Sequence, residues 1–283
     1  MSVTTMAGYK SHKAPIVVRY VLATVLALIF LLPFYTMIKT ALSTDEDIYS
    51  KTFVWWPKDA QWGRALEILQ DPQFLEAIRN SAIMAIVQTT LTILIASLAG
   101  YALARIPNKA QKPMFYLVIV VLLVPAATAF VPNFIIVASL GWIGTLRGLI
   151  IPGLFSAFNV FLFRQFYVNF PKEVEEAAHI DGAGYFRTFF SIIFPNTLSF
   201  ASALTVLGLI GSWNAFLWPL VVAGSGQAGM TVQIYLSSFL TAQSFDYGTL
   251  FMAATLSLIP VLIIFFFLQR YLVAGIAATG LKG

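Results

Sequence analysis

Cysteine is absent from the 283 residues, and charge is scarce: Asp, Glu, Lys and Arg together make up 10% of the chain. The first absence excludes a disulfide framework, a thiolate nucleophile and a Cys-ligated metal, and it leaves the redox compartment undetermined. The only histidines, His12 and His179, stand far apart, which argues against a His-rich metal site. A G-x-x-x-x-G-K-[ST] phosphate loop is also missing, so nothing in the sequence points to ATP binding by this chain. What is present is apolar: 59% hydrophobic residues and a mean hydropathy of +0.84. Soluble domains carry about 25% charged residues, so this composition is that of an integral membrane protein. The pI near 9.4 is not a polyanion footprint, because the basic residues are scattered, and no nucleic-acid partner is expected.

A bilayer core of about 30 Å takes roughly 20 helical residues. Charge-free apolar runs of that order predict an all-α membrane protein with six spans: Tyr20–Ile38, Asn80–Ala104, Met114–Leu140, Gly148–Phe163, Asn196–Ala223 and Thr249–Gln269. The first run exceeds the apolar core of a cleavable signal and reads as a retained helix. Small residues recur at helical spacing in the second span (Ala96, Ala99, Gly100, Ala104) and the fifth (Gly208, Gly211), a pattern that lets helices approach closely. The expected organisation is a membrane domain over 20–270, with an N-terminus (1–19) and a C-terminal tail (271–283) on the same side.

Lys and Arg mark that side as cytoplasmic. They gather at Lys10, Lys13 and Arg19, at Arg105, Lys109 and Lys112, at Arg164, Lys172 and Arg187, and at Arg270 and Lys282. The long loop 39–79 falls outside, where its basic residues are offset by Asp45, Glu46, Asp47, Asp59, Glu67, Asp71 and Glu76. Its Trp55, Trp56 and Trp62 fit either an interfacial aromatic belt or a docking surface for an extracellular partner.

The spans hold essentially no ionisable residue, whereas ion-coupled carriers usually keep one there. A secondary carrier is therefore disfavoured, and a membrane-embedded enzyme lacks any Ser/His/Asp set or metal cluster.

One cytoplasmic stretch, "EVEEAAHIDGAGYFRTFFSIIFPN" (173–196), is polar between two apolar spans. Pro171 and the carboxylates Glu173, Glu175 and Glu176 suit a helix start, where the dipole favours anions. Val174, Ala177 and Ala178 make a shallow apolar face before Gly182 and Gly184 interrupt the helix. A second short helix over about Tyr185–Ile193 then brings in Phe186, Phe189 and Phe190 ahead of Pro195. Two readings fit this helix–turn–helix: an amphipathic hairpin on lipid headgroups, or a plug for a partner protein that passes displacement to the attached spans.

Glu176-Ala177-Ala178, Gly182, Ile192 and Pro195 resemble the "EAA" loop of bacterial ABC import permeases, with Phe194 where that pattern commonly has leucine. "NSAIMAIVQTTLTILIASLAGYALAR", "GSWNAFLWPLVVA" and "FLQRYLVAGIAATGLKG" are similar to the carbohydrate-uptake group, in particular the shorter, six-span permease of maltose-type importers. The resemblance implies a type I ABC importer permease fold with a cytoplasmic coupling helix in the loop 169–195. It also implies a bacterial cytoplasmic membrane, a second permease (forming a heterodimer), two ATPase subunits that bind ATP and Mg, and an extracytoplasmic solute-binding protein. No cofactor is expected on this chain, which would not itself be an enzyme.

On the same resemblance, Glu176, Ala177, Ala178, Asp181, Gly182 and Arg187 would form the ATPase-coupling set. The outer loop Gly224, Ser225, Gly226, Gln227 and Gly229 is either a contact for the binding protein or a plain turn. Sugars bind aromatic faces and a few amides, which marks Asn133, Asn159, Trp213, Asn214 and Trp218 as pathway candidates; each also fits a helix–helix hydrogen bond. The implied cargo is a mono-, di- or oligosaccharide, with glycerol phosphate or another small polar solute as the alternative.

Overall fold

The structure, a computed structural model, describes residues 16–224, 229–240 and 245–280. Among them, helices account for all regular structure apart from one isolated antiparallel bridge between Leu240 and Phe245. The N-terminal α1 (Ile16–Leu42) is a single apolar helix that carries Pro33 within it. The stretch that follows builds α2 (Asp45–Ile48) and α3 (Trp62–Gln70). Next, α4 (Pro72–Ile83) begins behind Asp71, whose carboxylate accepts from the Gln73 amide at 2.9 Å, with proline in the first turn where its missing N–H costs nothing. A π-helical turn, Met84–Gln88, then joins α4 to α5 (Thr89–Arg105), giving a 34-residue helix longer than the expected second span.

The next three spans are broken, where the sequence reads as continuous helices. The third consists of α6 (Gln111–Leu123) and α7 (Phe130–Ser139), with the halves meeting at 95° through a 3₁₀ turn, Ala126–Ala129. Pro125 is the cause, since its ring drives Val124 into extended backbone (ψ 122°) and ends α6. In the fourth span, α8 (Leu146–Ile150) passes through a 3₁₀ turn at Ile151–Gly153 and resumes as α9 (Ala157–Val168), bent by 42°. This helix runs beyond the expected end at Phe163, so Arg164 lies within it, its guanidinium carbon 3.6 Å from the Phe115 ring centre.

The polar stretch 173–196 contains α10 (Lys172–Ile180), α11 (Tyr185–Thr188) and α12 (Phe194–Asn196), the last two joined by a π-helical segment, Phe189–Ile193. The fifth span, α13 (Leu198–Trp213), meets that segment at 75° and stops at Trp213. A separate α14 (Leu217–Val222) takes up the remainder of what the sequence suggested was one span. After α15 (Val232–Ser237), α16 (Tyr247–Gly280) runs on through Pro260 and takes in most of the expected tail. Among the described residues, three helices are long and apolar enough to cross a membrane unaided, and up to six spans result when each bent pair counts as one.

The helices pack chiefly as α5 against α9 and as α1 and α13 against α16. Gly100 explains the first contact: a Cβ there would lie 2.7 Å from the Phe163 Cβ and 2.8 Å from the Arg164 amide. Tyr101, Phe163, Tyr167, Phe189 and Ile193 fill the core at the end bearing α10 and α11, where Ser97 and Tyr167 share a 2.6 Å hydrogen bond. A second core at the other end joins Leu42, Phe74, Trp213 and Tyr235.

Candidate coupling loop and translocation cavity

In α10 the first turn carries Glu173 and Glu175, and the helix ends in a glycine cap. Gly182 has φ +78°, its amide donates to the His179 carbonyl at 3.0 Å, and the Ala183 amide donates to the Ala178 carbonyl at 2.9 Å. These are the two bonds of a Schellman cap, which favours glycine at this left-handed position. His179 Nδ1 lies 2.8 Å from the Ala183 carbonyl, and its ring meets Tyr185 edge-on, bracing the turn toward α11.

The helix divides into two faces. Glu175 (7% exposed) and Ala178 (5%) turn inward, three residues apart on one side. Glu176, Ala177, Asp181, Gly182 and Arg187 are all exposed. Beside them, Ile180 is 86% exposed and Phe186 76%, so the outward surface is apolar at its centre and charged around it. Of the resemblance-derived coupling set, only Ala178 is committed to the chain's own packing.

Sequence reasoning passed over the inward face. Glu175 Oε1 lies 3.1 Å from Arg105 Nε, and both side chains are nearly closed to solvent. Arg105 also donates from Nη2 to the Phe170 carbonyl. Burial raises the Glu175 carboxyl above its ordinary value, opposed chiefly by the charge of Arg105 and then of His179. The available signal was the spacing of Glu175 and Ala178, which places a carboxylate on the same face as a buried small residue.

A cavity of about 390 Å³ opens between the spans, lined by Gln88, Thr89, Thr92, Asn133, Asn159, Ser212 and Trp218 among others. It forms where helices lose regularity: at the π-helical Met84–Gln88, at the 3₁₀ turn Ile151–Gly153, and near the end of α13. Interrupted helices at membrane depth are tolerated where they line a cavity, and they commonly build transport sites. Gly153 accommodates Gln88, whose Nε2 would be 1.7 Å from any Cβ at that position. The Gln88 carbonyl in turn accepts from Ser212 Oγ at 3.0 Å.

Three of the five pathway candidates, Asn133, Asn159 and Trp218, meet in this cavity. The Trp218 indole donates to the Gly148 carbonyl at 3.1 Å and its ring stands edge-on to Phe130, which fixes its orientation. Trp213 instead packs into the second core at 5% exposure. Asn214 bonds back to the Ile210 carbonyl and accepts from Gln233, away from the cavity. Gln88, Thr89, Thr92 and Ser212 escaped the sequence reading, although a polar run inside an apolar span was visible at 88–92.

In the loop after α14, Ser225, Gly226 and Gln227 lie outside the described residues. Gly224 (φ +61°) and Gly229 bound that loop at a tight base, since a Cβ on Gly229 would lie 2.5 Å from the Ala223 Cα. The chain beyond is tied to α4: Asn80 Nδ2 donates to the Met230 carbonyl at 3.0 Å, and the Val232 amide donates to Ser81 Oγ at 2.9 Å. Trp55, Trp56 and Trp62 stand exposed in the loop before α3 and within its first turn.

Residues 92–278 match the family described as binding-protein-dependent transport system inner membrane component, and the chain belongs to that family. It is 36% identical over 204 residues (72% of this chain, 73% of the relative) to the arabinooligosaccharides transport system permease AraQ of Halalkalibacterium halodurans. Over 270 residues (95% of this chain, 97% of the relative) it is 31% identical to the lactose transport system permease LacG of Rhizobium radiobacter. It is also 29% identical, over 88% of its length and 91% of the relative, to the sn-glycerol-3-phosphate permease UgpE of Yersinia pestis. Its fold matches a chain of a bacterial ABC transporter involved in the import of the acidic polysaccharide alginate, with a TM-score of 0.77 at 20% identity, covering 94% of this chain and 99% of that one. The fold is therefore that of an ABC importer permease, and the chain is an inner-membrane component of such a system.

Proposed function

We propose that this chain is the six-span permease of a sugar importer, passing an uncharged saccharide inward while ATP is hydrolysed on separate subunits. The carrying observation is the cavity at the helix interruptions, which presents amides, hydroxyls and an indole but no Lys, Arg or His. A polyhydroxylated solute finds hydrogen-bond partners and an aromatic wall there, whereas a phosphate dianion finds no counter-charge. This favours the sugars named for AraQ and LacG over the solute named for UgpE.

In this reading the outward face of α10, with Glu176, Ala177, Ile180, Asp181 and Gly182, docks the ATPase, joined by Phe186 and Arg187. The inward-facing Ala178 shapes that helix from below. The basic residues on the coupling-loop side support a topology with both termini in the cytoplasm. The loop of Gly224 and Gly229 and the exposed tryptophans then face the solute-binding protein, and a companion permease completes the pathway.

Affinity capture from the native membrane, followed by uptake assays in proteoliposomes, tests this. Expected are a P-loop ATPase, a second permease and a binding protein in the eluate, with vanadate-sensitive uptake of a neutral sugar that glycerol phosphate does not compete. Recovery of the chain alone after crosslinking at α10, or uptake abolished by an uncoupler at constant ATP, would refute it.

A further inference from the structure

The coupling loop is joined to the membrane domain at both of its ends, by the short stretch 169–171 from α9 into α10 and by α11 into α13, and it also meets that domain through side-chain contacts. The connection from α11 into α13 is interrupted twice: by the π-helical Phe189–Ile193 and by the 75° bend at Thr197. Through space the loop reaches α5 at Tyr101, whose ring centre lies 5.2 Å from that of Phe189, and at Arg105, the last residue of α5. Arg105 holds the stretch before α10 at the Phe170 carbonyl and α10 itself at Glu175. From Arg105, α5 continues as unbroken α-helix for 17 residues, about 25 Å at 1.5 Å per residue, to Thr89. Along the way Gly100 locks it against α9, and at its far end Thr89, Thr92 and Ile93 line the cavity.

Resting on the importer reading above, we propose that Arg105 is the positioning residue of the transport cycle: its pairing with Glu175 makes α10, α5 and the cavity wall one rigid lever. Displacement of α10 by the ATPase then reaches the cavity through α5, and the broken connection to α13 serves as a hinge. A stiff helix gripped at its end transmits translation, whereas a bend and a π-helical turn absorb it.

The chain contains no native cysteine, so a clean test is available. The double variant Arg105→Cys/Glu175→Cys removes both charges together and leaves neither buried alone. It is assembled with its ATPase, companion permease and binding protein in liposomes, and ATP hydrolysis and sugar uptake are measured before and after a flexible bis-methanethiosulfonate crosslinker bridges the two thiols. Expected before crosslinking is basal ATP hydrolysis near the native rate, with its stimulation by the binding protein weakened and uptake per ATP reduced about tenfold, within the range by which network residues shift coupling. Crosslinking restores uptake.

Native uptake per ATP in the unbridged variant would overturn the proposal. So would lost hydrolysis that neither the crosslink nor the charge swap Arg105→Glu/Glu175→Arg recovers, since the pair would then serve folding alone. Failure of the importer reading shows separately, in the unaltered chain, as absence of ATP-dependent uptake.

Discussion

Arg105 and Glu175, far apart in sequence, meet at 3.1 Å with almost no solvent on either side chain. Removing one member of a buried pair leaves the other charge uncompensated, at a cost of about 3–5 kcal/mol, whereas replacing both with apolar residues is close to neutral. Thermal denaturation in detergent should therefore show a large loss for Arg105→Ala and a small one for Arg105→Met/Glu175→Leu. Equal losses would mean that the pair's charge has no bearing on stability.

Burial raises the Glu175 carboxyl, with Arg105, His179 and Lys172 pulling the other way. An acid is protonated below its pKa, so Glu175 should hold its proton to higher pH than an exposed glutamate, and the ion pair should open as pH falls through that raised value. Infrared difference spectra of the native chain against Glu175→Gln, recorded along a pH series, should show a protonated carboxyl band persisting above the range of ordinary glutamates. A band that vanishes with the exposed carboxylates would remove this expectation.

Ile180 and Phe186 are largely exposed. Substitution there should move stability by no more than about 0.5 kcal/mol, yet Ile180→Asp or Glu176→Lys should reduce co-purification of the ATPase. Retention of the ATPase at native levels by both variants would place the docking surface elsewhere.

Gly182 has open space around a would-be Cβ, so Gly182→Ala costs only the left-handed backbone, about 1–2 kcal/mol for a residue with a side chain. Gly182→Pro cannot adopt φ +78° at all and should uncouple uptake from hydrolysis. Normal uptake with the proline would sink the coupling role of this turn.

Gly211 lines the cavity and has nothing within 4 Å of an added Cβ, whereas a Cβ on Gly208 would meet Thr89 at 2.8 Å. Gly211→Leu should fill the passage without unfolding the chain, abolishing uptake while binding-protein-stimulated hydrolysis continues. Gly208→Leu should lower thermal stability instead. Undiminished uptake in Gly211→Leu would show that solute takes another path.

The sequence by itself determined the membrane class, the apolar runs that can span a bilayer and the presence of a polar helix–turn–helix between two of them. These follow from local quantities: apolar run length against bilayer thickness, and carboxylates and glycines at the ends of a short helix. The end of α10 belongs with them, since Gly182 interrupts the helix in the sequence and stands just beyond its cap at Asp181 with φ +78°. The tertiary structure alone decided where spans break and which polar residues meet. Pro125 bends the third span by 95°, yet Pro33 and Pro260 sit inside continuous helices. Proline removes one hydrogen bond in every case, and the surrounding packing settles whether the helix continues. Asn133, Asn159 and Trp218 share a cavity while Trp213 is buried elsewhere, because facing depends on bends that no local pattern encodes. Glu175 and Glu176 are adjacent and chemically identical, and only the position of Arg105 in the folded chain makes one an internal anchor and leaves the other free for a partner.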